Sequence, residues 1–247
     1  MAAASLSITQ TGKVLLLVID RPAVRNALDP PTLVALADAI DEGTADAAIG
    51  AAVITGTGAE CFSSGMDLRA VRSGGEDVGA SVQRFHASMR SPSRLPIVAA
   101  VRGMAIGGGF ELMLMCDLTV ASDDACFGLP EVTIGLVPGG GGTLLPARIP
   151  LAAALEIGLL GTPIDASRAF SLGLVNRLSP TGRVVDDALG LAARLADKPP
   201  ATLAKIRELM WITALEGAAA SLAAADAGPP DERRKAEAAE GIARFLA

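Results

Sequence analysis

Three short runs constrain the fold of this chain more than anything else in it. They are AAVITG (residues 51–56), PIVAAV (residues 96–101) and LTVAS (residues 118–122), each largely apolar and each followed by a glycine or a polar turn. Runs of that length are too short for buried helices. Their lack of polar alternation means that both faces are covered. Such strands belong inside a parallel sheet, and the segments between them must supply covering helices.

The intervening text fits. LSITQTGKVLLLVID reads as two strands around a Thr11-Gly12-Lys13 turn. DPPTLVALADAIDEG reads as a helix with Asp29 as its cap, Pro30 and Pro31 in its first turn and Gly43 just past its end. Strands alternate with helices to about residue 150, which predicts an α/β fold with mainly parallel pairing. Beyond that point the pattern is helical: IPLAAALEIGLLG, ASRAFSLG, VVDDALGLAARLAD and PATLAKIRELMWITALEGAAASLAAA. Only AGPPDERRK, Ala227 to Lys235, reads as loosely ordered.

Apolar residues make up 51% of the 247 and aromatics 3%, so Ala, Leu and Val must build the core. The formal charge of −6 leaves no basic field for a general nucleic-acid or anionic-membrane binder. Three cysteines, Cys61, Cys116 and Cys126, form no CxxC pair and read as reduced thiols. One histidine, His86, cannot anchor a zinc cluster. The N-terminus lacks the basic start and long apolar run of a signal peptide, and no stretch reaches the ~18 apolar residues of a spanning helix. The expectation is a cytoplasmic protein.

Two glycine loops invite a nucleotide reading and fail it. GTGAEC at Gly56 lacks the third glycine and the helix of a dinucleotide fingerprint. PGGGGT at Pro138 lacks the lysine of a phosphate loop. A Ser-His-Asp triad would need His86, which has no nucleophile motif beside it and reads as a helix-surface residue.

IGGGFELMLMCD (Ile106 to Asp117) is more informative, because it sets a carboxylate, Glu111, inside an apolar segment directly behind three glycines. A buried Glu is rare unless paired or functional. Glycines before a helix let the backbone approach a ligand, and the first helical amides favour an anion or a developing oxyanion. CFSSGMDL, Cys61 to Leu68, supplies a second glycine turn after a strand, with Gly65 beside Met66. Glu131, twenty residues beyond Glu111, follows Pro130 in another apolar passage. Two such carboxyls would hold protons more tightly and repel each other, as acid–base chemistry near neutral pH requires. Taken singly, each Glu also fits a surface or ion-pair role.

These residues resemble the enoyl-CoA hydratase/isomerase, or crotonase, family. RPAVRNAL (Arg21 to Leu28) resembles the family's RPxxxNAL. ITGTGAECFSSGMDL resembles TGxGxxFsxGxDl, with Ser64 where Ala is usual. LPIVAAVRGMAIGGGFELMLMCDLTVAS, FGLPEVTIGLVPGGGGTLLPARI and the terminal EGIARFLA match the remaining family segments in order. Leu144 and Leu145 stand where the family has Gln-Arg. The resemblance implies a crotonase-like spiral of ββα units over residues 1–190 carrying the acyl-CoA site. It implies a helical region over residues 191–247 that builds a trimer or a dimer of trimers and covers CoA.

It also implies roles. The amides of Met66 and Gly108 form an oxyanion hole for the thioester carbonyl. Glu111 and Glu131 hold and activate water, and Gly139 helps place that water or the Glu. Arg25, Ala27, Ser64, Gly65, Asp67, Leu68 and Gly107 line the substrate groove, and Phe245 packs near the adenine. Residues 69–90 line the acyl pocket, and their Ser/Gly-rich middle suggests a mobile loop. No metal or redox cofactor is implied, since coenzyme A belongs to the substrate. Hydration is the expected reaction. The alternatives are double-bond isomerisation, which usually keeps only one of the two Glu residues, other acyl-CoA chemistry of the family, and a non-catalytic acyl-CoA-binding protein.

Overall fold

In the computed structural model, residues 5–73, 76–226 and 232–246 are described. The strands are β1 (Leu6–Thr11), β2 (Val14–Ile19), β3 (Ala51–Gly56), β4 (Cys61–Ser63), β5 (Ile97–Val101), β6 (Met104–Ile106), β7 (Leu118–Ser122), β8 (Cys126–Gly128), β9 (Ile164–Asp165) and β10 (Arg177–Ser179). They form a six-stranded sheet in the order β1-β2-β3-β5-β7-β10 and a four-stranded sheet in the order β4-β6-β8-β9. The chain visits the large sheet, crosses to the small one and returns through a helix. The strand pairs β3/β4, β5/β6 and β7/β8 are successive turns of that spiral. Pairing is parallel except for β1 with β2 and β8 with β9.

The three diagnostic runs are β3, β5 and β7, inside the large sheet. Their side chains divide by strict alternation. Ala52, Ile54, Ile97, Ala99 and Val101 enter the main core, and Ala51, Val53, Val98, Ala100 and Val120 enter a second core on the opposite face. This two-sided burial is why the runs carry no polar alternation.

The helices of the core are α1 (Pro30–Ala45), α2 (Leu68–Ser73), α3 (Glu76–Arg90), α4 (Gly108–Met115), α5 (Leu145–Arg148), α6 (Leu151–Leu160), α7 (Ala166–Ser171) and α8 (Val184–Ala196). Asp29 caps α1 as expected, accepting from the Thr32 amide at 3.0 Å. Gly43 does not end α1. It lies inside the helix, where a β-carbon would stand 2.6 Å from Leu15 Cδ1, so it permits close packing instead. Residues 69–90 are mostly helical, in α2 and α3; of the Ser/Gly-rich middle expected to be a mobile loop, residues 74–75 lie outside the described residues and the rest is helix. The boundary set at residue 190 falls inside α8, whose Val184, Ala188, Leu191, Ala192 and Ala196 close the second core.

The C-terminal helices are α9 (Pro200–Glu216), α10 (Ala218–Asp226) and α11 (Glu232–Leu246). The sequence reads α9 and α10 as one helix, but Gly217, at φ +94°, breaks it. Of the segment expected to be loosely ordered, residues 227–231 lie outside the described residues and the rest begins α11. None of α9's residues is buried. It docks through Arg207, whose Nη2 donates to the carbonyls of Ser91, Pro92 and Arg94, and through Trp211, 5.8 Å beneath the Arg148 guanidinium. Among the described residues no helix is long and apolar enough to cross a membrane.

Candidate active site

Two loops and two carboxyls converge on one cavity of about 450 Å³. The first loop follows β4. Here the RPAVRNAL segment is held alongside it by Asn26, a buried residue at φ +54°. Asn26 Nδ2 donates to the carbonyls of Thr57 (2.9 Å) and Cys61 (2.7 Å), and its Oδ1 accepts from the Arg21 amide at 3.1 Å. Leu28 then pairs with Met66 as a single parallel bridge. The Leu28 amide donates to Gly65 O at 2.7 Å, and Leu28 O accepts from the Asp67 amide at 2.8 Å. In a parallel bridge those bonds belong to the residues flanking Met66, so Met66's own N–H faces away from the pairing.

The second loop joins β6 to α4. Gly107 caps α4 at φ +55° and ψ −129°, a conformation open to glycine. Its amide donates to Gly128 O at 2.8 Å, and its carbonyl accepts from the Glu111 amide at 2.9 Å. Gly108 is the first residue of α4, so its N–H has no intrahelical acceptor. The two loops touch. A β-carbon on Gly65 would stand 2.8 Å from the Gly108 nitrogen, and one on Gly108 would stand 3.2 Å from the Met66 nitrogen. Among the described residues neither the Met66 nor the Gly108 amide donates a hydrogen bond. Two free donors therefore stand side by side on the wall of the cavity.

Glu111, one turn into α4, is 9% exposed, while its neighbours Phe110, Leu112, Met113 and Leu114 are wholly buried. Its charge is met by the glycine-rich loop that resembled a phosphate loop. The amides of Gly140 (2.8 Å) and Gly142 (2.9 Å) both donate to Glu111 Oε1. One carboxylate oxygen is thus committed to structure, and Oε2 keeps its acceptor capacity. Gly139 lines the cavity as expected, but the amides that hold Glu111 belong to Gly140 and Gly142 instead.

Glu131 sits in a 3₁₀ turn (Pro130–Ile134) after β8. The Gly107–Gly128 bond brings that turn over α4's start, so that a β-carbon on Gly107 would stand 2.9 Å from Glu131 Oε1. Glu131 Oε2 is buried and has no hydrogen-bond partner among the described residues. Burial pushes this carboxyl above the usual range and the nearby Glu111 carboxylate pushes the same way, although Glu131's own backbone N–H opposes them.

Of the other expected site residues, Ser64, Gly65, Leu68 and Gly107 line the cavity. Arg25, Ala27 and Asp67 do not. The Arg25 side chain is exposed, its carbonyl is taken by the Ser64 amide at 3.0 Å, and Ala27 O accepts from Arg21. Asp67 is engaged by the fold itself. It pairs with Arg21 at 3.2 Å and accepts from the Arg69 amide at 3.1 Å. Burial alone would raise its pKa, but these bonds outweigh it and hold the carboxyl below the usual value. The Phe245 side chain lies outside the described residues. His86, expected on a helix surface, instead lines the cavity, half-buried. Asn26 went unassigned in the sequence, although its place within RPAVRNAL marked it. Leu145, standing for the family's Arg, is buried in the core, and Leu144 packs against it.

The cavity can therefore polarise an oxygen between two N–H groups and present two carboxyls to whatever lies beside it. The family model described as enoyl-CoA hydratase/isomerase matches residues 9–246. A carnitinyl-CoA dehydratase of Proteus mirabilis is 35% identical over 213 residues, covering 85% of this chain and 81% of its own length. The solved structure of an enoyl-CoA hydratase from Mycobacterium tuberculosis has a TM-score of 0.77 at 34% identity, covering 99% of this chain and 91% of the other. Pseudomonas aeruginosa DspI has a TM-score of 0.81 at 30% identity, covering 87% of this chain and 89% of the other.

Proposed function

The chain belongs to the enoyl-CoA hydratase/isomerase family, and from that premise we propose that it is an enoyl-CoA hydratase, adding water reversibly to a 2-enoyl thioester. The reading is carried by one observation: Glu111 and Glu131 line the same cavity as the free amides of Met66 and Gly108.

The thioester oxygen sits between the two amides, which stabilise the negative charge that it gains. Water hydrogen-bonded to Glu111 and Glu131 adds its oxygen to Cβ as a proton passes to Glu111. The Cα=Cβ electron pair moves to give an enolate, and Glu131, in its protonated form, delivers a proton to Cα. Glu111 then returns its proton to Glu131 through the next water, so the cycle balances. Glu131 suits the acid role because its pKa is raised. Run backwards, the site dehydrates a 3-hydroxyacyl thioester, the direction named for the carnitinyl-CoA dehydratase relative. Isomerisation needs one carboxyl, so the presence of both favours hydration. The reaction so drawn uses no metal or redox cofactor, and coenzyme A arrives with the substrate.

The same reading makes the protein a cytoplasmic homo-oligomer, a trimer or a dimer of trimers. In support, Leu151, Leu155 and Leu159 repeat every four residues along α6 and are each about half exposed or more, an apolar stripe suited to a second copy.

The test is incubation with crotonyl-CoA, following the loss of enoyl-thioester absorbance and the product mass. The expected product is heavier by one water. Glu111→Gln and Glu131→Gln each lower kcat by about 10²–10⁴. A parent protein that binds crotonyl-CoA without turnover, or variants that keep the parental rate, refutes the reading.

A further inference from the structure

The cavity wall carries one polar side chain that neither the reaction nor the fold's hydrogen bonding uses. Helix α3 turns Val82, Phe85 and His86 toward the cavity, positions that share one helix face. Around them the wall is apolar, with Leu28, Leu33, Val71, Met115 and Leu136. The polar side chains that remain are Glu111, Glu131, Ser64 and His86. The two carboxyls belong to the chemistry, and the Ser64 hydroxyl donates to Val24 O at 3.3 Å.

His86 enters no hydrogen bond or ion pair among the described residues. Its ring is tilted 50° against Phe85 at a centroid distance of 6.0 Å. Burial first, and the Arg90 cation second, hold its pKa below the ordinary imidazole value, so it is neutral at pH 7. A neutral imidazole offers one N–H donor and one acceptor. Arg90, one turn further along α3, is occupied with Gly140 O at 3.2 Å and leaves that offer unanswered. A half-buried polar group without a partner in an apolar wall is matched by a ligand that brings one.

The cavity has depth for such a ligand. Glu111 and Met115 both line it and are one turn apart on α4, so it reaches about 6 Å past Glu111 along that helix.

We propose that His86 is a specificity-determining residue that hydrogen-bonds an oxygen carried on the distal part of the acyl chain. The site then prefers enoyl thioesters with a distal hydroxyl or carbonyl over plain hydrocarbon chains. This rests on the hydratase reading and goes beyond it to the class of substrate.

The experiment compares 2-octenoyl-CoA with its 6-, 7- and 8-hydroxy forms, measuring kcat/KM for the parent, His86→Leu and His86→Gln. In the parent, at least one hydroxylated chain exceeds the hydrocarbon by about tenfold, the size of one well-made hydrogen bond. His86→Leu brings the ratio to one or below, with the hydrocarbon chain gaining. His86→Gln, which keeps a donor and an acceptor, retains part of the preference and guards against a misfolded Leu variant. A parent that hydrates the hydrocarbon at least as well as every hydroxylated chain overturns the proposal, as does a ratio unchanged in His86→Leu. If no thioester is hydrated, the hydratase reading falls and calorimetric Kd values for the matching saturated acyl-CoAs decide this proposal separately. A hydroxyl preference present in the parent and lost in His86→Leu upholds it, and equal Kd values sink it.

Discussion

Replacing Gly107 with alanine should damage the site out of proportion to its size. Gly107 is fixed from both sides, its amide on Gly128 O and its carbonyl on the Glu111 amide, so its backbone cannot relax without releasing β8 or α4. At φ +55° and ψ −129° an alanine is strained, which costs about 1–3 kcal/mol. For a chain of this size that lowers Tm by about 2–12 °C. The new β-carbon would also stand 2.9 Å from Glu131 Oε1. A flexible carboxyl escapes such a contact cheaply, so the steric penalty on stability is minor. Its effect on chemistry is larger, because the carboxyl retreats from the position where it faces Glu111 and the amide pair. A misplacement approaching 1 Å costs about 10²-fold in rate. Thermal melting and crotonyl-CoA hydration, measured on the same preparation, separate the two effects. Gly79→Ala serves as control, because Gly79 lies in α3 with open space around it and should gain about 0.5–1 kcal/mol. If Gly107→Ala melts with the parent and hydrates at more than a tenth of its rate, the placing of Glu131 by Gly107 is wrong.

Four other perturbations bear on the same framework. Asp117→Ala leaves the Arg94 guanidinium buried without its carboxylate and removes the acceptor for the Ile97 amide, so unfolding free energy falls by about 3–5 kcal/mol in denaturant titrations. Glu131→Gln removes a carboxyl whose folded-state pKa lies above its unfolded value, so at neutral pH folding costs the parent either a buried charge or the uptake of a proton. The variant should therefore melt above the parent at pH 7, and the gap should close as pH falls through the raised pKa and the parent carboxyl protonates. Carboxyl NMR of Glu111→Gln should show Glu131 titrating at lower pH than in the parent, since a neighbouring negative charge is gone. Leu155→Glu with Leu159→Glu should shift sedimentation to a smaller species, and an unchanged coefficient would remove α6 from any interface.

The large sheet was legible because its strands are buried on both faces. Nothing but a central parallel strand combines the length and apolarity of AAVITG and PIVAAV. Two of the short strands were not. β9 has two residues and β10 three, and Arg177 and Leu178 are exposed, so neither leaves a periodic trace. The Ser/Gly-rich middle of residues 69–90 reads as a loop for a related reason. Ser and Gly lower helix propensity, but α1 and α3 pack together, with Arg84 of α3 bridging Asp38 and Asp41 of α1, and tertiary contact decides.

The carboxyls were legible one at a time, as charges in apolar text. What the sequence left hidden was how Glu111 is tolerated, because that depends on backbone donors far along the chain. Glu111 is held by amides of residues 140 and 142. The glycines that supply them look, in isolation, like a phosphate loop with its lysine missing. The anion they meet in this fold is a carboxylate of the same protein. Glycine amides occupy one oxygen and leave the other free to accept. The glycines at 65, 107 and 108 do the corresponding work on the other side of the cavity, by letting two amides come together where a side chain would block them. Glycine-rich stretches far apart in sequence are therefore the backbone half of one site, and the two glutamates are its side-chain half.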